Sequence, residues 1–141
     1  MSKIAVVYWS GTGNTEAMAK AVLEGINSSG AQGELFSCAE FDASMIEKYD
    51  AVAFGCPAMG AEQLEDFEFE PMFSPCVPKL AGKRLGLFGS YGWGDGEWMR
   101  SWEKDVLDAG AILASNSVIC SGQPDAVYLK KCNNLGKSLL S

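Results

Sequence analysis

The sequence predicts an α/β fold, a doubly wound parallel sheet of five strands with helices on both faces. Three observations predict it. Apolar, β-branched runs alternate five times with segments of helical periodicity along the 141 residues. Forty-eight per cent of the residues are hydrophobic, enough to cover a sheet on two sides. Three of the strand runs end in small-residue or glycine-rich loops, at 10–15, 56–63 and 90–96. In such sheets, ligands sit beyond the carboxyl ends of the strands, so these loops also point to a site.

The elements follow in order. Residues 3–9 (KIAVVYW) read as a buried strand, and 10–15 (SGTGNT) as a small polar loop. From Glu16 to Ile26 apolar residues recur at helical spacing, and Gly30 supplies a stop. A weaker strand is expected near Glu34–Cys38, then a short helix over Ser44–Lys48. Residues 51–55 (AVAFG) are a second central strand and 56–63 its loop. Leu64–Phe73 is acidic and aromatic; a helix or helical turn ended by Pro71 and Pro75 is expected. Arg84–Gly89 is another buried strand, Ser90–Gly96 a glycine-rich loop and Glu97–Leu107 an amphipathic helix. A broken strand over Ala111–Ala114 and Ser117–Cys120 precedes a final helix from about Pro124 to Leu140. No linker divides the chain, so residues 1–141 read as one domain.

Composition narrows the function. A formal charge of −7 disfavours nucleic acid, whose phosphates need clustered Lys and Arg, and favours basic protein partners. No stretch is long and apolar enough for a membrane span or a signal peptide, so a soluble cytoplasmic protein is expected. The five cysteines are odd in number, and no pair is spaced CxxC. Buried free thiols are expected, without disulfides or a structural metal. The chain has no histidine, which removes Ser-His-Asp and Cys-His catalysis. Any chemistry therefore falls to a bound cofactor.

Ser10, Gly11, Thr12, Gly13, Asn14 and Thr15 join a strand to a helix. Glycines bring backbone N–H groups close to an anion, the hydroxyl and amide side chains add neutral donors, and the helix start adds its dipole. The loop lacks the Gly-Lys-Ser/Thr of a Walker A motif, and Glu16 stands where GxGxxG needs glycine. An ordinary helix cap needs fewer small polar residues than these six. In the second loop Ala58, Met59, Gly60, Ala61 and Glu62 offer a thioether for an aromatic ring, a free backbone and an acceptor for a ring N–H. In the third, Ser90, Tyr91, Gly92, Trp93 and Gly94 put Trp93 between glycines, well placed to stack on a planar ligand. Trp98 and Trp102 stand four apart on the expected helix and read as packing; Trp9 is open to either role. Glu62, Glu65, Asp66, Glu68 and Glu70 read as a solvated acidic rim whose spacing fits no carboxylate metal loop.

These residues resemble flavodoxins. SGTGNT is similar to their phosphate loop, and GCPAMGAEQLED (55–66) and GLFGSYGWGDGEWM (86–99) to the two flavin-flanking loops of the short-chain type found in clostridia and related anaerobes. The resemblance runs from Lys3 to the final helix and implies strand order 2-1-3-4-5 in three α/β/α layers. It implies non-covalent FMN and one-electron transfer at low potential, mainly between semiquinone and hydroquinone. Ser10 through Thr15 would hold the phosphate. Met59 and Trp93 would cover the two ring faces, Glu62 would accept from ring N3–H, and Ser90, Tyr91, Gly92 and Gly94 would line the pyrimidine side and edge. In this family the peptide after the loop glycine flips on reduction so that its carbonyl meets flavin N5; here that is Gly60–Ala61. Relatives often carry Asp, Asn or Ser at the position of Ala61. Partners would be redox proteins, reductases or oxidoreductases, docking at the acidic rim of a monomer.

Two other classes compete. An FMN-dependent NAD(P)H or quinone reductase on the same fold needs room over the ring and a basic pocket for a nicotinamide phosphate, and the loops show none. A phospho-acceptor signalling domain needs acidic residues at the end of the first strand, where Trp9 and Ser10 stand.

Overall fold

The computed structural model describes residues 2–60 and 62–140. Its central strands are the most apolar runs of the sequence. β1 (Lys3–Tyr8) is flanked by β2 (Gln32–Ser37) and β3 (Ala51–Gly55), and β3 by β4 (Arg84–Tyr91). The last strand is broken into β5 (Ile112–Leu113) and β6 (Val118–Ser121), both paired with β4. Every pairing between these strands is parallel and the order is 2-1-3-4-5, as expected.

Alternation along the strands divides the core in two. Ala5, Val7, Val52, Phe54, Leu85 and Leu87 face one layer. There they meet α2 (Phe69–Phe73) and α3 (Glu97–Asp108), through Phe69, Phe73, Trp98 and Trp102. Ile4, Val6, Ala51, Ala53 and Phe88 face the other. That side is covered by α1 (Asn14–Ser28) and α4 (Ala126–Ser138), through Met18, Val22, Ile26, Cys132 and Leu135. Trp98 and Trp102 are each 1% exposed, so they are packing residues. Trp102 stands edge-on to Phe69 and Phe73 at 5.5 and 5.7 Å. All five cysteines are buried and free. Burial raises the thiol pKa of Cys38 and Cys76 to about 11 and that of Cys132 to about 12.

Three expectations change. The segment Leu64–Phe73 is not one helix: only Phe69–Phe73 is α-helical, followed by a 3-10 turn over Ser74–Lys79. Pro71 lies inside α2, in its first turn, where its missing N–H costs no helical bond. Residues 64–68 instead curl around the buried carboxylate of Glu65. It accepts the backbone N–H groups of Phe67, Glu68 and Phe69 at 2.9, 2.8 and 2.8 Å. The second change concerns Ser90 and Tyr91, which are the end of β4 and not loop. β6 pairs with them (Ser90 with Cys120, Tyr91 with Ser121), so the ladder outlasts the apolar run. The 44–48 helix is a 3-10 turn over Ala43–Lys48, started by the Asp42 side chain accepting from Ser44 N–H.

The strand ends at the site are tightly set. Tyr8 is in register with Gly55, and Gly55 with Phe88. Past the strands the ladder continues from Cys56 N–H to Phe88 O at 3.1 Å and from Ala58 N–H to Ser90 O at 3.0 Å. Gly89 makes this possible, since a Cβ there would collide with the Cys56 carbonyl oxygen. Gly89→Ala should therefore lower unfolding stability by about 1–3 kcal/mol. Gly86→Ala, whose Cβ would meet the Leu135 side chain at 3.1 Å and no backbone atom among its nearest neighbours, should cost less. Urea denaturation of both variants checks the difference.

Glu65 makes a pH-dependent contribution. Burial by itself would raise the carboxyl's pKa, but the three N–H donors outweigh it and hold it below the usual carboxylate range. A depressed folded pKa means stability that is present above the unfolded value, near pH 4.3, and lost as pH falls through the folded one. Glu65→Gln should cost about 1–3 kcal/mol at pH 7 and flatten the acid limb of the stability–pH curve below about pH 4. Equal acid limbs in the two proteins would contradict this role.

Candidate functional site

The carboxyl ends of β1, β3 and β4 bring the three loops together. A cleft of about 220 Å³ lies between them, with Gly11, Thr12, Asn14, Ala58, Met59, Ser90, Tyr91 and Gly92 among its lining residues.

The first loop is built as a cradle. Gly13 caps α1 at φ +94° and has no side chain with which to accept the first-turn N–H groups. Ser10 Oγ accepts Gly13 N–H at 3.0 Å, and Thr12 Oγ1 lies 3.4 Å from Asn14 N–H. Each hydroxyl accepts within the loop and retains its own O–H to donate outward. Thr15 is the exception. Its side chain is buried and its Oγ1 lies 2.9 Å from Ser90 Oγ, which ties the start of α1 to the end of β4. Ser90 N–H also points to Thr15 Oγ1, at 3.3 Å.

The second loop turns back on itself through an isolated antiparallel bridge between Met59 and Gln63. Met59 is 38% exposed, and Gly60 sits at φ +53° with open space where a Cβ would stand. Ala61 lies outside the described residues, and with it the geometry of the Gly60–Ala61 peptide. Glu62 has φ +57°, the one positive φ of a non-glycine among the described residues. Its Oε2 accepts Trp98 N–H at 3.1 Å in the first turn of α3, a favourable place for a carboxylate. Its Oε1 is buried and has no hydrogen-bond partner among the described residues. A buried acceptor without a donor is costly and marks strain or a missing partner. Gly94, at φ +91°, is packed so closely that a Cβ would strike that oxygen.

The third loop leaves Trp93 70% exposed, an aromatic surface without core contacts. Tyr91 is half-buried, its ring 5.5 Å from that of Trp98. The Arg100 guanidinium pins the loop by donating to the Asp95 carbonyl and carboxylate, both at 3.0 Å. Carboxylate oxygens of Glu62, Asp95 and Glu97 lie within 4.8 Å of one another, continuing the acidic edge.

Three lining residues were not identified from sequence. Trp9, left open there, walls the cleft and donates its indole N–H to Glu68 Oε1 at 3.0 Å. Pro57 and Gly122 also line it. Gly122 follows β6 in the small-residue run SGQP, the same signal as the other three loops, and donates to Tyr91 O at 2.9 Å.

Comparison with known proteins places the fold and the sequence in one family. The flavodoxin family model matches residues 6–133. The chain is 42% identical over 135 residues to a flavodoxin of Megasphaera elsdenii, covering 96% of each. It is 40% identical over 134 residues to a flavodoxin of Clostridium beijerinckii, covering 95% of this chain and 96% of the relative. The solution structure of two-electron reduced Megasphaera elsdenii flavodoxin superposes with a TM-score of 0.89 at 43% identity, over 96% of this chain and 97% of that one. An archaeal flavodoxin structure gives 0.85 at 27% identity, over 97% of this chain and 95% of that one. By fold, by strand order and by sequence over nearly its whole length, the chain belongs to the flavodoxin family.

Proposed function

We propose that residues 1–141 form one domain that holds FMN non-covalently and passes single electrons between redox proteins. Flavodoxins are electron-transfer proteins and not enzymes, and this chain is one of them. The observation that carries the site assignment is the buried, unpartnered Oε1 of Glu62. It offers an acceptor for a planar ring's N–H, on the loop that also presents Met59. The remaining donor set fits the same molecule. A neutral N–H and hydroxyl cradle suits a phosphate, the slot beside Trp9, Ala58 and Tyr91 is largely apolar, and Trp93 offers an exposed face for stacking.

FMN, when bound, supplies the one-electron chemistry. Ser10, Gly11, Thr12, Gly13 and Asn14 hold its phosphate, with Thr15 fixing the cradle to β4. Met59 and Trp93 shield the ring faces from water. Glu62 anchors the ring edge, with Ser90, Tyr91, Gly92 and Gly94 along the same side. The Glu62 carboxylate and the acidic edge would disfavour added negative charge on a group held there. Gly60 lets its turn change conformation at small steric cost. The carboxylates around the cleft steer basic partners to a cytoplasmic monomer.

Four measurements test this. FMN should turn the colourless apoprotein yellow at one per chain. Riboflavin, which lacks the phosphate, should bind at least roughly a hundredfold more weakly, given about 1.5–3 kcal/mol for each of two or more hydrogen bonds to a charged group; equal affinities would contradict the cradle. NAD(P)H alone should leave the flavin absorbance unbleached. In redox titrations Gly60→Val, which disfavours the φ of +53° found there, should narrow the separation between the two one-electron potentials; an unchanged separation would contradict a moving turn at Gly60.

A further inference from the structure

The break in the last strand opens a second cavity. The β5 ladder ends at Leu113, opposite Leu85, and the β6 ladder begins at Val118, opposite Phe88. Gly86 and Leu87 of β4 therefore have no strand partner on that side. Leu135 of α4 packs over Gly86, where a Cβ would stand 3.1 Å from it. Between the break and α4 lies a cavity of about 580 Å³, the size of a small-molecule site. It shares one lining residue, Tyr91, with the cleft between the three loops.

The chemistry of this cavity is opposite to that of the chain. The net charge is −7, yet no Asp or Glu lines it, and its one charged lining residue is Lys131. Lys131 enters no ion pair among the described residues. Its Nζ stands 4.8 Å from the centre of the Tyr128 ring, which steadies the ammonium group at the cavity wall. The carboxylate of Glu103, from α3, is taken up by Ser117 Oγ at 2.6 Å. Asn116 and Asn134 add amide donors, and Val118, Ile119 and Leu135 supply apolar surface.

These groups select a ligand class. One unpaired cation matches one negative charge, and a dianion would leave a charge unmatched in an acidic chain. A cation would meet Lys131 with no carboxylate to offset it. The apolar surface is used only by a ligand with an apolar body. We propose that this cavity is a second binding site, one that takes a small aromatic monocarboxylate. The carboxylate pairs with Lys131 and accepts from the asparagine amides, and the ring lies against Val118, Ile119 and Tyr128. The site stands apart from the residues assigned to FMN except at Tyr91, so the two ligands are held together.

The test titrates isotope-labelled protein with 2-naphthoate, with excess FMN present to keep the probe out of the flavin cleft. FMN uptake is measured separately, and its failure would count against the carrier function alone. Amide shifts should saturate with Kd near or below about 1 mM, the strength expected of a ligand of this size. They should centre on residues 115–119 and 128–135. The uncharged 2-naphthamide should bind at least about threefold more weakly, the worth of a part-exposed ion pair. Lys131→Met should erase that preference and Lys131→Arg should keep it. Lys137→Met, an exposed lysine in the last turn of the same helix, should change Kd less than about twofold. Shifts centred elsewhere, equal affinities for 2-naphthoate and its amide, or a Lys131→Met effect no larger than that of Lys137→Met would overturn the proposal.

Discussion

The site depends on one constraint, the register of three parallel strands. Tyr8, Gly55 and Phe88 stand side by side, so β1, β3 and β4 deliver their loops to one edge of the sheet. Glycine at 55 and at 89 is what permits it. A Cβ at Gly55 would strike the Phe88 ring, and one at Gly89 the Cys56 carbonyl. A slip of one residue along β4 would exchange the two faces of its side chains and draw Ser90 away from Thr15. The anion cradle and the aromatic loop would then no longer face the same space.

Around that edge polar groups fix what the apolar core cannot. The Thr15–Ser90 hydroxyl pair ties the first loop to the third. Glu65 shapes the 64–68 turn, and Glu62 leans on the first turn of α3. Each is a buried or half-buried oxygen meeting N–H or O–H donors, across different elements for Thr15 and Glu62 and within its own turn for Glu65, and each restricts a loop. Glu62 differs from the others in keeping one oxygen unpartnered.

Much of this was legible in the sequence. β1, β3 and β4 showed as apolar runs, and the spacing of Trp98 and Trp102 showed the buried face of α3, because both signals come from local periodicity. The three site loops showed as small-residue runs following strands. What escaped depends on contacts between residues far apart in the chain. Thr15 and Ser90 are 75 residues apart, so a hydroxyl expected to face a ligand turns inward instead. The helix expected over Leu64–Phe73 shortened to Phe69–Phe73 because a buried carboxylate took the N–H groups the turn needed. Ser90 and Tyr91 passed from loop to strand because β6, reached only after the chain's break near residue 115, extended the ladder. Trp9 became a cleft wall through a bond to Glu68, 59 residues away.

The central claim is that this edge is shaped for one planar, phosphate-bearing flavin whose ring N–H completes Glu62. A crystal structure of the FMN-loaded protein tests it most directly. The account predicts the ring between Met59 and Trp93, the phosphate within residues 10–15 and Glu62 Oε1 within hydrogen-bond distance of ring N3. A ring seated elsewhere, or an Oε1 still without a donor beside bound FMN, would contradict it.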